Sequence, residues 1–185
     1  MAFLSIVTRT YKRPEALKRC KRSIARQADQ DVEHIIIRDT VGVGCVEAYR
    51  LFLNVQPRGE YVMILDDDNL LASPWLVSDL KAVAEQHDPD VIVFKMDNAE
   101  LGILPGRVMW RLPPIHGHIG SCNVAVKSHV WDACIGAIAT DGKGGPPVYH
   151  SDLYYLKAVW AYTQSIYWLD KIGVTVPVVS RGMVE

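Results

Sequence analysis

The sequence predicts an α/β domain with a mostly parallel central sheet flanked by helices. Three observations lead there. Apolar runs alternate with amphipathic segments in the order strand–helix–strand–helix–strand–helix–strand between residues 3 and 97. The most apolar run, Tyr61-Val62-Met63-Ile64-Leu65, reads as a strand buried on both faces. That run ends in Asp66, Asp67 and Asp68, which puts charge at the carboxyl end of a strand, where ligands of open α/β sheets gather.

Each element follows from its own pattern. Phe3 to Thr8 reads as the first strand. Pro14 opens a helix to about Gln27, with Leu17, Cys20 and Ile24 at helical spacing and most of the basic residues elsewhere. Glu33 to Arg38 is the second strand and Asp39 ends it. After Gly42 and Gly44 a helix is expected near Val46 to Val55. Ser73-Pro74 suggests a helix start, with serine as the cap and proline in the first turn. Leu76, Leu80 and Val83 give that helix its apolar face, and Asp88-Pro89 stops it. Val91 to Lys95 is a further strand. Right-handed crossovers would bring Arg9 to Arg13, Asp39 and the three aspartates to one sheet edge.

Beyond Asp97 the pattern loosens. Asn98 to Pro114 reads as irregular, Ile119 to Lys127 as a strand and Ser128 to Ile135 as a short helix. Residues 140–147, rich in glycine and proline, read as a loop able to act as a lid. Ser151 caps a last helix, about Asp152 to Ala161. Ser165 to Leu169 and Val174 to Val179 read as a terminal hairpin.

The composition bounds the function. At 185 residues, 49% apolar and 22% charged, the chain fits one globular domain. The formal net charge of −1 argues against nucleic acid as a partner. No apolar stretch is long enough to span a bilayer. The first residues read as a strand and not as a signal peptide. Cys20, Cys45, Cys122 and Cys134 show no C-x-x-C spacing, so reduced thiols and a cytoplasmic location are expected.

The aspartates carry the chemistry. Along an extended strand Asp66 and Asp68 would point the same way and Asp67 away. Two such carboxylates offer hard oxygen ligands to a divalent cation, and a cation there could hold a diphosphate.

Several segments together resemble the family 2 type of GT-A fold glycosyltransferase. Thr10-Tyr11-Lys12-Arg13-Pro14-Glu15-Ala16-Leu17 resembles the opening motif T-Y-N-R-P-E-x-L. Ile35-Ile36-Ile37-Arg38-Asp39 resembles the second strand with its base-binding aspartate. Gly59 to Asp68 resembles G-E-Y-I-x-x-L-D-D-D. The resemblance implies a single GT-A (Rossmann-like) domain, 1–185. Residues 1–97 would form the nucleotide-sugar-binding half, and 98–185 a small acceptor-side half. Gly120 to Lys127 resembles the strand lining the acceptor side. His150-Ser151-Asp152-Leu153 stands where the family has an E-D motif, with serine in place of glutamate.

The site residues implied are these. Asp68 would ligate Mn²⁺ or Mg²⁺ directly, with Asp66 near the ribose or the metal. Thr10, Tyr11, Arg13, Asp39, Asp66 and Asp67 would bind the nucleotide sugar. Tyr11 offers a ring face to the base, Asp39 an acceptor for a base N–H, and Arg13 a guanidinium for phosphate. Asp152 would be the catalytic base. Its place in a first helical turn also has a structural reason, since the helix dipole stabilises an ionised acid there. His116 and His118 read as loop or acceptor-site histidines, and His150 as an additional metal ligand. Zinc is disfavoured, because no ligand pairs show structural-zinc spacing. Trp110 is the tryptophan best placed to touch an acceptor. The basic face of the first helix reads as a solvated surface.

The expected activity is transfer of a hexosyl group from a nucleotide diphosphate sugar, most simply a uridine diphosphate sugar, to an acceptor hydroxyl with inversion. Alternatives are a nucleotidyltransferase, although the glycine-rich loop after the first strand is missing, and a catalytically silent nucleotide-sugar-binding module.

Overall fold

The chain opens with strand β1 (Leu4–Thr10), helix α1 (Pro14–Ala25) and strand β2 (Val32–Arg38). A 3-10 segment, Glu47–Asn54, leads to β3 (Tyr61–Ile64), the short β4 (Leu70–Leu71), α2 (Leu76–His87) and β5 (Val91–Asn98). Then come β6 (Gly102–Leu104), β7 (Val124–Lys127), α3 (Ser128–Cys134), α4 (Ser151–Tyr162) and β8 (Ile166–Val176). This computed structural model describes residues 2–44 and 46–177.

Among the described residues all eight strands join one sheet in the order β2-β1-β3-β7-β5-β8-β4, with β6 paired to β5. The pairings set β1, β2, β3, β5 and β8 in one direction and β4, β6 and β7 against them. The sheet is therefore mixed, with a parallel set interrupted by antiparallel strands from the second half of the chain.

Two apolar layers flank the sheet, and side-chain alternation decides which strand residue serves which. Leu4, Ile6, Tyr61, Met63, Ile92 and Phe94 face the layer holding Cys20 and Ile24 of α1 and Leu76 and Leu80 of α2. Val7, Val62, Ile64, Val91 and Val93 face Phe52 of the 3-10 segment, Val130 and Trp131 of α3, and Leu156 and Val159 of α4. The continuous apolar runs of β3 and β5 follow from this double burial. The connection from β1 to β2 passes on one face and that from β2 to β3 on the other. The carboxyl ends of β1 and β3 thus flank a topological switch point, where a crevice opens.

Several expectations change. The terminal hairpin is instead one bulged strand, β8, parallel to β5 and broken in register around Lys95. Asp170 there pairs with Lys95 across the strands, so the polar stretch that read as a turn is a strand irregularity. Val178 and Val179 lie outside the described residues. The strand expected from Ile119 starts only at Val124. Asn123 Oδ1 accepts from the Gly120 N–H at 2.9 Å and Asn123 Nδ2 donates to the Phe94 carbonyl at 2.6 Å, which holds a 3-10 turn before the strand. Ser73 accepts from the Trp75 N–H at 3.1 Å, and the helix begins after Trp75. The segment near Val46–Val55 takes the tighter 3-10 form. β4 and β6 are too short to leave a periodic signature.

Cys20, Cys122 and Cys134 are buried free thiols. Burial pushes the Cys20 thiol up to about 11, which keeps it protonated and unreactive. Cys45 lies outside the described residues.

One close approach is structural. Gly59 donates its N–H to Ser5 Oγ at 2.8 Å, and a Cβ on Gly59 would sit 2.5 Å from the Ser5 backbone nitrogen. Gly59→Ala is expected to destabilise the fold by about 1–3 kcal/mol, because β1 must shift to admit the methyl group. Urea denaturation monitored by tryptophan fluorescence checks this, and wild-type stability would contradict the packing described.

Candidate active site at the carboxyl edge of the sheet

β1 carries Arg9 and Thr10 to the carboxyl edge, and the parallel register Leu4↔Tyr61 to Val7↔Ile64 sets them beside the end of β3. The β3 ladder stops at Ile64, and the Asn69 N–H donates to the Asp66 carbonyl at 3.0 Å. The three aspartates therefore sit on a turn. The strict alternation expected of an extended strand does not apply to them, although Asp67 does face inward.

Each carboxylate has a guanidinium. Arg9 Nε donates to Asp66 Oδ1 at 3.2 Å. Arg13 spans two acids, Nη1 to Asp67 Oδ1 at 2.9 Å and Nη2 to Asp68 Oδ2 at 2.7 Å. Thr10 Oγ1 donates to the other Asp67 oxygen at 2.6 Å. Lys12 takes a left-handed backbone, φ 49°, and the resulting turn returns Arg13 to the aspartates. Burial pushes the Asp67 carboxyl above the ordinary carboxylate value; the Thr10 hydroxyl and Arg13 oppose this, and Asp68 and Asp66 add to it.

Asp39 sits beside this array, its N–H donating to the Thr10 carbonyl at 3.0 Å. Its Oδ1 accepts from Val41 and Gly42 at 3.0 and 2.7 Å, and its Oδ2 from Val43 at 2.9 Å. Partial burial raises its proton affinity, but these three backbone donors outweigh it and hold the carboxyl low. Gly42, at φ 80°, lets the loop close on Tyr11, whose hydroxyl oxygen would lie 2.4 Å from a Cβ there. Tyr11 also carries Lys12 Nζ 5.1 Å from its ring centroid.

A cleft of about 400 Å³ opens next to the aspartate turn. Its lining brings together Arg9, Asp66, His150 and Asp152 with Tyr49, His116 and His118. Met96, Leu101, Leu104 and Ile115 form an apolar wall. Thr10, Tyr11, Arg13, Asp39, Asp67 and Asp68 lie along the turn and loops beside the cleft and not in its lining. Trp110 is outside it too, packed edge-on to Trp168 at 5.2 Å with Lys95 over its ring.

Asp152 is in the first turn of α4 and accepts from its neighbour, the Leu153 N–H, at 2.9 Å. Burial raises its proton affinity above that of an ordinary carboxylate; the Leu153 N–H lowers it, Asp66 raises it further, and His150 and Arg9 lower it. Burial thus outweighs the helix-terminus effect expected from position alone. Ser151, beside it, is fully buried. Its Oγ accepts from Val148 N–H at 2.7 Å and donates to the Thr140 carbonyl at 2.8 Å. Ser151 therefore ties both ends of the 140–148 loop to α4. None of residues 140–147 lines the cleft. His150 and His116 meet edge to face, their ring centroids 4.1 Å apart.

Arg9 also lines the cleft, although the sequence marks it only as part of a converging segment. Its guanidinium also stacks 4.4 Å from the Tyr49 ring centroid. The available signal was a charged side chain within an otherwise buried strand.

Among the described residues no group of three or more His, Cys, Asp or Glu is arranged to cage a metal. Asp66 and Asp68 each turn one oxygen to a guanidinium, whereas Asp67 uses both. That donor set fits Mg²⁺ or Mn²⁺ bound through one or two carboxylates and completed by substrate phosphates and water. No helix among the described residues is long and apolar enough to cross a membrane.

Thr10→Val removes the hydroxyl that serves the buried Asp67 carboxylate with little change in volume. It is expected to cost about 1.5–3 kcal/mol at neutral pH, the range for a hydrogen bond to a charged group. A denaturation midpoint within error of wild type would show that this contact does not stabilise the fold.

No protein-family profile matches the sequence, and no curated protein matches it. Solved structures match the fold. TarS 1–349 from S. aureus superposes with a TM-score of 0.67 at 15% identity, covering 94% of this chain and 60% of that one. The same protein in complex with UDP-GlcNAc gives 0.65 at 15% identity, with 94% and 58% covered. The mannosyltransferase PcManGT from Pyrobaculum calidifontis, in complex with GDP-Man and Mn²⁺, gives 0.59 at 15% identity, with 97% and 58% covered. This chain spans about three-fifths of each of these structures. At these identities the likeness establishes a single α/β domain of the GT-A type.

Proposed function

We propose that the protein is a glycosyltransferase that moves a sugar from a nucleotide diphosphate donor to an acceptor hydroxyl. The observation that carries this reading is one cleft lined by Asp66, at the end of β3, and by Asp152, at the start of α4. The matching folds hold UDP-GlcNAc and GDP-Man, which supports a nucleotide-sugar donor. A uridine diphosphate sugar, a hexosyl group, inversion and a cytoplasmic setting are the finer forms of the proposal.

Tyr11 and Asp39 flank the place for the base. Asp39 retains one lone pair, on Oδ2, beyond its three loop donors for a base N–H. Thr10 and Asp67 hold the floor of the turn. Arg13 is a positioning residue, since it orients Asp68 while neutralising the neighbouring acid. Asp66 and Asp68 would hold Mn²⁺ or Mg²⁺, with His150 as the additional candidate ligand. When bound, the ion supplies Lewis-acid stabilisation of the departing diphosphate. Arg9, at the same edge, adds a fixed positive charge toward that leaving group.

Asp152 takes the proton of the acceptor hydroxyl as its oxygen attacks the anomeric carbon. The oxygen–carbon bond forms, the bond to the diphosphate breaks, and the diphosphate leaves with the electron pair. A carboxyl whose proton affinity is raised by burial is a better base, provided it is ionised at the working pH.

Asp152→Asn is expected to lower transfer by about 10²–10⁴-fold while donor affinity is retained. The sign for stability is opposite. A raised folded-state pKa means that ionisation at neutral pH opposes folding, so the neutral amide is expected to make the protein more stable. Transfer by the wild type is expected to fall as pH drops through the raised Asp152 pKa. A near wild-type rate in Asp152→Asn would remove Asp152 as the base.

Chelation with EDTA is expected to abolish transfer, and Mn²⁺ or Mg²⁺ to restore it. Asp68→Ala is expected to lose the metal dependence of donor binding while the fold survives. Full activity in excess EDTA would overturn the metal assignment. Donor binding without turnover across an acceptor panel would instead favour a silent binding module.

A further inference from the structure

The cleft wall formed by residues 115–120 contains a buried histidine for which the fold has no use. His118 is 3% exposed. Both of its ring nitrogens are buried without a hydrogen-bond partner, and among the described residues no other buried side-chain nitrogen or oxygen shares that state. The residue nevertheless belongs to the lining of the cleft, with His116, His150 and Asp152.

A neutral imidazole carries one donor and one acceptor. Native folds seldom leave such groups unmet, and an apolar side chain of similar shape avoids the cost altogether. Packing alone therefore selects phenylalanine or leucine at this position, not histidine. A ligand that brings a hydroxyl supplies both a donor and an acceptor to the ring. The backbone gives it a route. Gly117 is at φ 73° with open space where a Cβ would lie, and Gly120 follows two residues after the histidine. Gly120 is held by Asn123, so the room to turn the ring toward the cleft comes from Gly117 and the side-chain torsions of His118 itself.

We propose that His118 is a specificity-determining residue, whose imidazole hydrogen-bonds a sugar hydroxyl of the ligand in the cleft. The inference rests on the glycosyltransferase reading. The hydroxyl belongs either to the transferred sugar or to a glycoside acceptor, and the two sources separate experimentally.

The test uses the intact protein and the variants His118→Phe and His118→Gln. Calorimetry measures UDP and UDP-GlcNAc binding in Mg²⁺, and transfer is measured to 4-nitrophenyl glycosides. His118→Phe is expected to melt about 2–4 °C higher, because an unmet polar group has been removed. UDP affinity is expected to stay at the wild-type value. If the hydroxyl is on the transferred sugar, UDP-GlcNAc binding weakens about tenfold, as for a lost buried hydrogen bond. If it is on the acceptor, UDP-GlcNAc binding is unchanged and the acceptor KM rises about tenfold. His118→Gln, which keeps a donor and an acceptor, is expected to recover most of either loss. Wild-type values for both ligands in His118→Phe would overturn the inference, whatever its melting temperature. Failure of the wild type to bind any of UDP, UDP-GlcNAc, GDP or GDP-Man would overturn the glycosyltransferase reading and this inference together.

Discussion

Three adjacent carboxylates at one strand end repel each other, and the fold meets that repulsion with two guanidinium groups. Arg9 serves Asp66, and Arg13 serves Asp67 and Asp68. The arginines come from the end of β1 and the entry to α1, so the pairs also fasten β1 to β3 at the edge where the cleft opens. Asp67 shows what this arrangement must overcome. It is buried, its proton affinity is raised, and it keeps its place through Thr10 and Arg13. A buried carboxylate stripped of those partners would be strongly destabilising. The remaining oxygens of Asp66 and Asp68 are what the turn has to offer a ligand.

The two halves of the chain reach this edge by different means. β1, β2 and β3 are parallel, and their order of crossing forms the crevice between their carboxyl ends. The second half inserts β7 antiparallel between β3 and β5, then returns through α3 to α4. That detour delivers Asp152 to the same cleft as Asp66. Ser151 makes the delivery firm, because its hydroxyl binds both Thr140 and Val148. A glutamate at this buried position would bring a charge into a space that the hydroxyl fills with two short hydrogen bonds.

The first half was legible because doubly buried strands leave continuous apolar runs and because proline marks the start of α1. The aspartates were legible for the same reason, as charge that abruptly ends such a run. The second half was harder. β4 and β6 are too short to show a period, and Asn123 replaces ladder bonds with side-chain bonds, which delays β7. β8 has a polar stretch that reads as a turn, yet it continues as a bulge against β5. Trp110 packs edge-on against Trp168, a contact between residues far apart in the chain that local pattern does not reveal.

The sequence by itself determined the α/β class, the strand that leads into Asp66 to Asp68 and the helix with Asp152 in its first turn. These depend on local periodicity and on residue type, which one-dimensional order preserves. Only the tertiary structure decided which guanidinium meets which carboxylate, that Asp152 has a raised proton affinity, and that His118 is buried without partners. Those properties arise from desolvation and from contacts across the sheet edge, which exist only once distant segments have packed together. The expectation for Asp152 makes the difference plain. Its place in the first turn of a helix favours the ionised form, but the burial that the fold imposes has the larger effect.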